Sequence, residues 1–300
     1  MKSWDSGQLW QKAKAYIDRA NEIEHSSPLF PLWCALAVEL LARAALTRIH
    51  PVLNADPRSD LNILYACGFD VAGQPRSLPA HSVFLRLEKT VPGFGKAQRE
   101  LCDFLSLLRN QELHTADLAF ENLKESKWLP RFYEVCRILC AALGRNLTEL
   151  LGDDLAPSAE KLVEALEAEL EATVKANVAA RAKVLREKPA PEQVALRAEA
   201  KAALRQLEQG SKRVKCPACE SEGLLTGDLI KELEPQFVDG SLYVDEEYLA
   251  AGFRCLVCGL VLKNVQEITA AGMEPRFTDV RETSLHEIYQ PDWMDEYDNM

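Results

Sequence analysis

Two Cys-x-x-Cys pairs, Cys216-Pro217-Ala218-Cys219 and Cys255-Leu256-Val257-Cys258-Gly259, constrain the fold of this 300-residue chain more than any other feature. Each pair has the spacing of a tight knuckle that delivers two thiolates to one tetrahedral ion, and together they make a four-cysteine set for one structural zinc. Flanking residues fit short strands: Glu222 to Gly227 leaves the first knuckle, Gly252-Phe253-Arg254 enters the second, and Leu260-Val261-Leu262 leaves it. Between them, Phe237 to Val244 reads as a hairpin with an Asp-Gly turn at Asp239-Gly240. The 35 residues between the pairs exceed the usual spacing of such a module, which therefore carries an insertion. A redox dithiol is the alternative, and it needs a separate explanation for each pair. With four thiolates the metal site is closed, so its ion holds the fold and does no chemistry.

The other five cysteines, Cys34, Cys67, Cys102, Cys136 and Cys140, are scattered through helical sequence without ligand-like spacing and read as small hydrophobic residues. Nearly half of the chain is hydrophobic, enough for a buried core, and the length suits two domains. The longest apolar run, Leu29 to Ile49, is interrupted by Glu39, Arg43 and Arg48, and the first residues lack the apolar stretch of a signal peptide. The expectation is a soluble cytoplasmic protein with no membrane segment.

The net charge of −11 is unevenly placed. Residues 1–152 hold 18 Lys/Arg against 17 Asp/Glu, residues 153–210 hold 9 against 11, and residues 211–300 hold 8 against 18. The acidic end is a poor surface for nucleic acid, whereas the near-neutral first half is free to gather its arginines in one cleft. A zinc module that binds nucleic acid stays open only if Lys212, Arg213, Lys215, Arg254 and Lys263 share a face.

Helical periodicity dominates residues 1–152. The segment from Trp4 to Glu24 places Leu9, Trp10, Ala13, Tyr16, Ile17 and Ala20 on one stripe, and Ser26-Ser27-Pro28 ends it. Leu29 to Ile49 is apolar nearly all round and so belongs at the centre of a bundle. Its exceptions, Glu39 and Arg43, are spaced as a helix ion pair, and Glu39 gains significance if it faces Arg109. Shorter helices are expected over Leu61 to Cys67 and Ala80 to Thr90, then one from Lys96 to at least Asn110 and one from Phe120 to Leu143, notched by Pro130. The sum is a bundle of five or six helices.

Residues 153–210 shift to alanine, glutamate, lysine and arginine, with Leu162, Val163, Leu166, Leu170, Val174 and Val178 as the apolar positions and a break at Pro189-Ala190-Pro191. This composition predicts a long two-part helical stalk, either a spacer or a coiled-coil arm. Residues 211–289 form the zinc module, and residues 290–300, with Trp293, Tyr297 and four acidic residues, form an acidic aromatic tail suited to a protein partner. The chain is thus mainly α, with an N-terminal helical bundle, an alanine-rich helical linker and a small β-rich end.

One candidate for chemistry lies in the bundle, Arg109-Asn110-Gln111-Glu112-Leu113-His114. Cutting RNA through its own 2′-hydroxyl needs a base, an acid and fixed positive charge beside the phosphorus, which histidine and arginine supply without a metal. On a regular helix of about 3.6 residues per turn Asn110 and His114 face the same way, while Arg109 lies roughly 140° from His114. Arg109 must reach around, or the helix must bend or restart. The arginine-to-histidine interval recurs at Arg76 to His81, which contains Pro79, and at Arg281 to His286, in the acidic end. Only the copy at 109–114 follows an amphipathic run and sets an amide beside its arginine. The plain alternative is an arginine and a histidine on a helix surface.

With Ala35 to Leu46 on an early helix and Leu107-Leu108-Arg109-Asn110-Gln111-Glu112-Leu113-His114 on a later one, residues 1 to about 150 resemble a HEPN domain, a family named for its higher-eukaryote and prokaryote nucleotide-binding members. Its motif is arginine, a polar residue and, after three more, histidine. The resemblance implies a four- or five-helix bundle and a metal-independent endoribonuclease of toxin, CRISPR or phage-defence systems. It further implies a homodimer in which two motifs line one cleft, Arg109 on the scissile phosphate, His114 as base or acid, and Asn110 orienting one of them. RNA, single-stranded or in a tRNA loop, is the expected substrate. Some members of the family are inactive scaffolds, which gives the alternative of a dimerisation platform with a zinc-module adaptor. Thr115-Ala116 departs from the small residue often found after the histidine, and the family fixes no role for the stalk or the zinc module.

Overall fold

The computed structural model describes residues 4–238 and 241–284. The acidic aromatic tail, His286 and the Asp239-Gly240 turn lie outside the described residues. The chain divides into two units, Met1–Ala168 and Glu169–Met300. The first is helical and the second carries an antiparallel sheet, so the architecture is mainly α with a β part.

In the first unit, α1 (Ser6–Asn21) starts at Asp5, whose carboxylate accepts from the Gln8 backbone N–H, a standard way to satisfy an open helix end. Its stripe of Leu9, Trp10, Ala13, Ile17 and Ala20 is buried against α2 (Leu29–Ile49). Long and apolar enough in composition to cross a membrane, α2 is the central helix of this unit. It also packs on α4 (Ala80–Thr90), α5 (Lys96–His114) and α6 (Glu125–Ala142) and buries residues on all sides, including Phe30, Cys34, Val38 and Leu41. A 3-10 turn, Pro51–Asn54, and α3 (Asp60–Ala66) join α2 to α4.

α6 begins at Glu125, five residues later than the apolar pattern from Phe120 predicts. Phe120 is buried, but its segment closes turns through Glu121 N–H to Leu118 O and Leu123 N–H to Phe120 O, and Lys124 is extended. A short helix, α7 (Leu147–Leu151), follows and had no periodic signal of its own. It is held by reciprocal Asn146–Glu149 capping bonds and buries Leu147, Leu150 and Leu151.

α8 (Ala156–Arg186) and α9 (Ala190–Ala203) account for the alanine-rich segment, separated where Pro189 caps α9. The apolar positions of α8 are divided between two cores: Ala156, Ala159 and Val163 lie in the first, while Leu170, Val174, Val178 and Leu185 belong to the second.

The second unit folds around β4 (Ser241–Arg254), the longest strand. β2 (Glu222–Glu232) and the short β3 (Gln236–Val238) pair along one side of it, and β6 (Arg276–Ser284) pairs on the other. β1 (Ser211–Lys215) flanks β2, and β5 (Val261–Leu262) pairs with the end of β4. A small helix, α10 (Val265–Ala270), buries its Ile268 in the core of this unit. β3 and β4 form the hairpin read from the sequence, Val238 opposite Ser241. Two close approaches need glycine: a Cβ at Gly223 would sit 2.5 Å from the Phe253 ring, and one at Gly227 would sit 2.9 Å from both Leu249 O and the Phe277 ring.

Candidate functional site

The four cysteines of the double motif converge. The Sγ atoms of Cys216, Cys219, Cys255 and Cys258 all lie within 4.8 Å of one another, with Cys216 to Cys258 at 3.5 Å and Cys219 to Cys255 at 3.6 Å. Sulfurs at about 2.3 Å around one tetrahedral ion stand about 3.8 Å apart, so the spacing fits a single ion. The two knuckles are the same turn made twice. Cys216 N–H donates to Ser221 O and Glu220 N–H to Cys216 O, and Cys255 N–H donates to Leu260 O and Gly259 N–H to Cys255 O, each at 2.9 Å. Both turns end in a left-handed residue, Glu220 (φ 58°) and Gly259 (φ 72°). Thiol hydrogen bonds from Cys216 and Cys258 push the Cys255 thiol down, and the contacts with Cys255 and Cys258 push Cys216 up. Four thiolates so close repel one another, and a divalent cation is what lets all four ionise together.

The remaining cysteines are apart from this cluster. Cys34, Cys102, Cys136 and Cys140 are buried in the helical core, where burial raises each thiol, and Cys67 is exposed.

The hexapeptide at 109–114 forms the end of α5, which runs unbroken through His114. The helix does not restart, and its two candidate groups diverge. Arg109 continues the buried stripe of Leu101, Cys102 and Leu105, and turns toward α2. Its Nη2 donates to Glu39 Oε2 at 2.8 Å and to Ser106 Oγ at 3.0 Å. Glu39 Oε1 in turn accepts from Arg43 Nε at 3.0 Å and Nη2 at 2.7 Å, and Arg43 Nη2 also reaches Leu78 O at 2.9 Å. One carboxylate therefore serves two guanidiniums, all three side chains only 13–17% exposed. Arg109 Nε is buried without a partner, and Nη1 makes no hydrogen bond to a described residue.

Asn110 and His114 occupy the opposite, outer side with Phe104 and Leu107, and all four are exposed. His114 has no apolar cover. The sequence signal for Arg109, Asn110 and His114 was the motif itself. Ser106 had no signal, and Glu39, singled out from the sequence for its spacing to Arg43 and for the case that it faces Arg109, does face it.

The two other arginine-to-histidine intervals are engaged elsewhere. Pro79 caps α4, and His81 Nδ1 lies 2.8 Å from Asp103 Oδ1. Arg281 pairs with Glu232 at 2.8 Å and with the buried Glu246 at 2.7 Å. The basic residues around the four-cysteine cluster divide between the two faces of the sheet. Arg213 and Arg254 lie directly across from Leu224 on either side, Lys215 falls on the same face, and Lys212, next to Arg213 in the same strand, falls on the other.

No protein-family model, curated protein or solved structure matches this chain.

Proposed function

We propose that this chain is a metal-independent endoribonuclease of the HEPN type, cytoplasmic and part of a bacterial antiphage-defence or toxin system, with a structural zinc in its four-cysteine cluster. The observation that carries the reading is the state of the motif at the end of α5. Glu39 and Ser106 hold Arg109 through Nη2 alone, leaving Nη1 free to donate, while Asn110 and His114 are exposed on the other side of the same turn.

In this reading the 2′-oxygen of RNA attacks the adjacent phosphorus and the 5′-oxygen departs, giving a 2′,3′-cyclic phosphate and a 5′-hydroxyl. Arg109 offsets the charge that builds on the phosphoryl oxygens. His114 takes the 2′-hydroxyl proton or gives one to the leaving oxygen, and Asn110 orients one of the groups. An unbroken α5 sends Arg109 and His114 to different sides, so one copy does not close the site. A homodimer with two α5 ends lining one cleft supplies the missing half, and the exposed Phe104 and Leu107 beside His114 are the apolar surface a second copy would cover. Single-stranded RNA or a tRNA loop is the substrate, because in-line attack needs a flexible backbone. The zinc-ribbon module and the acidic C-terminal region serve as the part that binds a protein partner.

The test is incubation of total RNA with the wild type, Arg109→Ala and His114→Ala, followed by sequencing of cyclic-phosphate ends. Cutting that disappears in His114→Ala while the melting temperature is unchanged supports the reading. Variants that cut as well as the wild type sink it. A second reading, a non-catalytic HEPN scaffold with a zinc-ribbon adaptor, is favoured by the ion pair that ties Arg109 to Glu39 on α2. In that case the wild type leaves RNA intact, and Arg109→Ala weakens folding or dimerisation instead.

A further inference from the structure

We propose that the unpaired edge of β2 accepts an extended segment of a partner protein, alternating apolar and basic residues, as an added antiparallel strand. The inference rests on reading the second unit as a partner-binding module and is independent of the nuclease reading.

β4 pairs with β2 almost to its end, at Glu232 opposite Glu246, whereas β1 covers the other side only from Glu222 to Thr226. Gly227 N–H donates to Gly210 O just before β1, and from Asp228 to Glu232 that edge has no neighbouring strand among the described residues. Each residue from Asp228 to Val238 is exposed. The stretch is also apolar where an unprotected edge would be expected to be polar: Leu229, Ile230, Leu233, Phe237 and Val238 are 38–59% exposed. Unpaired backbone N–H and C=O groups flanked by exposed apolar side chains are a template for strand addition, in which the main chain provides affinity and alternate side chains provide selection. The usual protection here is a single lysine, Lys231, and a register shift between Leu229 and Lys231, with no proline between Asp228 and Pro235.

Charge decides the occupant. From Asp228 to Glu247 the sequence holds seven acidic residues and one lysine. Arg276 and Arg281 from β6 pair with Glu247, Glu232 and Glu246. Asp228, Glu234 and Asp245 have no such partner among the described residues. A second copy of this arm would bring the same negative charge against itself, and a nucleic-acid backbone would be repelled. A strand carrying lysine or arginine between apolar residues answers both the charge and the exposed side chains.

The test uses the full zinc-loaded chain and two fluorescein-labelled peptides. One alternates valine with lysine and arginine, and the other has the same charges with prolines in place of valines, which removes the donors a strand needs. The alternating peptide is expected to bind saturably, to slow amide exchange at residues 228–232, and to lose about tenfold in affinity or more in Leu229→Lys, an exposed position whose change leaves folding intact. Equal binding of the proline peptide, protection elsewhere in the chain, unchanged affinity in Leu229→Lys, or protection of the same edge by a single-stranded RNA oligonucleotide overturns the proposal. RNA cutting measured on the same preparations separates the two readings: peptide binding without cutting leaves this inference standing, and cutting without peptide binding removes this inference alone.

Discussion

Arg109 on α5 and Glu39 on α2, 70 positions apart in sequence, meet at 2.8 Å, and the same carboxylate bonds Arg43 one turn further along α2. Removing that carboxylate leaves two guanidiniums facing each other in a poorly hydrated space. Glu39→Gln is therefore expected to destabilise the first unit by about 1–3 kcal/mol, a fall in melting temperature of roughly 3–10 °C. In a double-mutant cycle, Glu39→Ala combined with Arg109→Ala should show a smaller loss than the sum of the single ones. Strict additivity would mean that the two side chains do not interact.

Arg109→Lys keeps the charge and loses the planar guanidinium, whose Nη2 bonds both Glu39 and Ser106 while Nη1 is left to donate elsewhere. On the nuclease reading this exchange should lower cutting nearly as much as Arg109→Ala while changing RNA affinity little. Cutting restored to wild-type level by lysine would show that charge alone matters at this position.

The knuckles allow a paired test of backbone strain. Glu220 occupies the left-handed position that Gly259 fills in the other turn. Glu220→Gly should stabilise the second unit by up to about 1 kcal/mol, because a side chain at that conformation costs about 1–2 kcal/mol and glycine gives back part of the gain as chain entropy. Gly259→Ala should shift stability the other way, because its φ of 72° lies in the left-handed region. Thermal melts with zinc in excess measure both.

Chelation should unfold the sheet of the second unit. Native mass spectrometry should count about one zinc per chain, and Cys219→Ser should lower that occupancy, since four thiolate ligands close a structural site. Full occupancy in a Cys216→Ser/Cys255→Ser double variant would place the ion elsewhere.

Hydrogen bonding from the Arg58 side chain and backbone holds the Asp56 carboxyl down at about 2, against an ordinary value of 3.8. A lowered folded value means that this contact stabilises the protein above pH 4 and is lost as the pH falls through about 2. A carbon-13 titration of the Asp56 carboxyl should show it still charged at pH 3. A midpoint near 4 would mean that the Arg58 contact does not persist in solution.

What was legible in the sequence was local. The stripe on α1, the all-round apolar α2 and the proline that starts α4 each follow from a few neighbouring residues, and the hairpin follows from strands flanking an Asp-Gly pair. The four-cysteine cluster was legible because the spacing of each knuckle is itself the geometry. The direction of Arg109 was legible only halfway. Helical periodicity gave its divergence from His114, but the acceptor that holds it comes from a helix far away in sequence. Ser106 looks like any helix serine, and Glu220 looks like any surface glutamate until the second knuckle shows which position it fills. Phe120 was misleading for a related reason: it is apolar and buried, yet a turn buries it as well as a helix does.

α8 carries Val163 in one core and Val174 in the other, and the boundary between the two units falls within its unbroken run of backbone hydrogen bonds. The two halves of this protein are for that reason not interchangeable parts. Exchanging residues 211–289 alone would part the second core from Leu170, Val174, Val178 and Leu185, the stretch of α8 that packs into it.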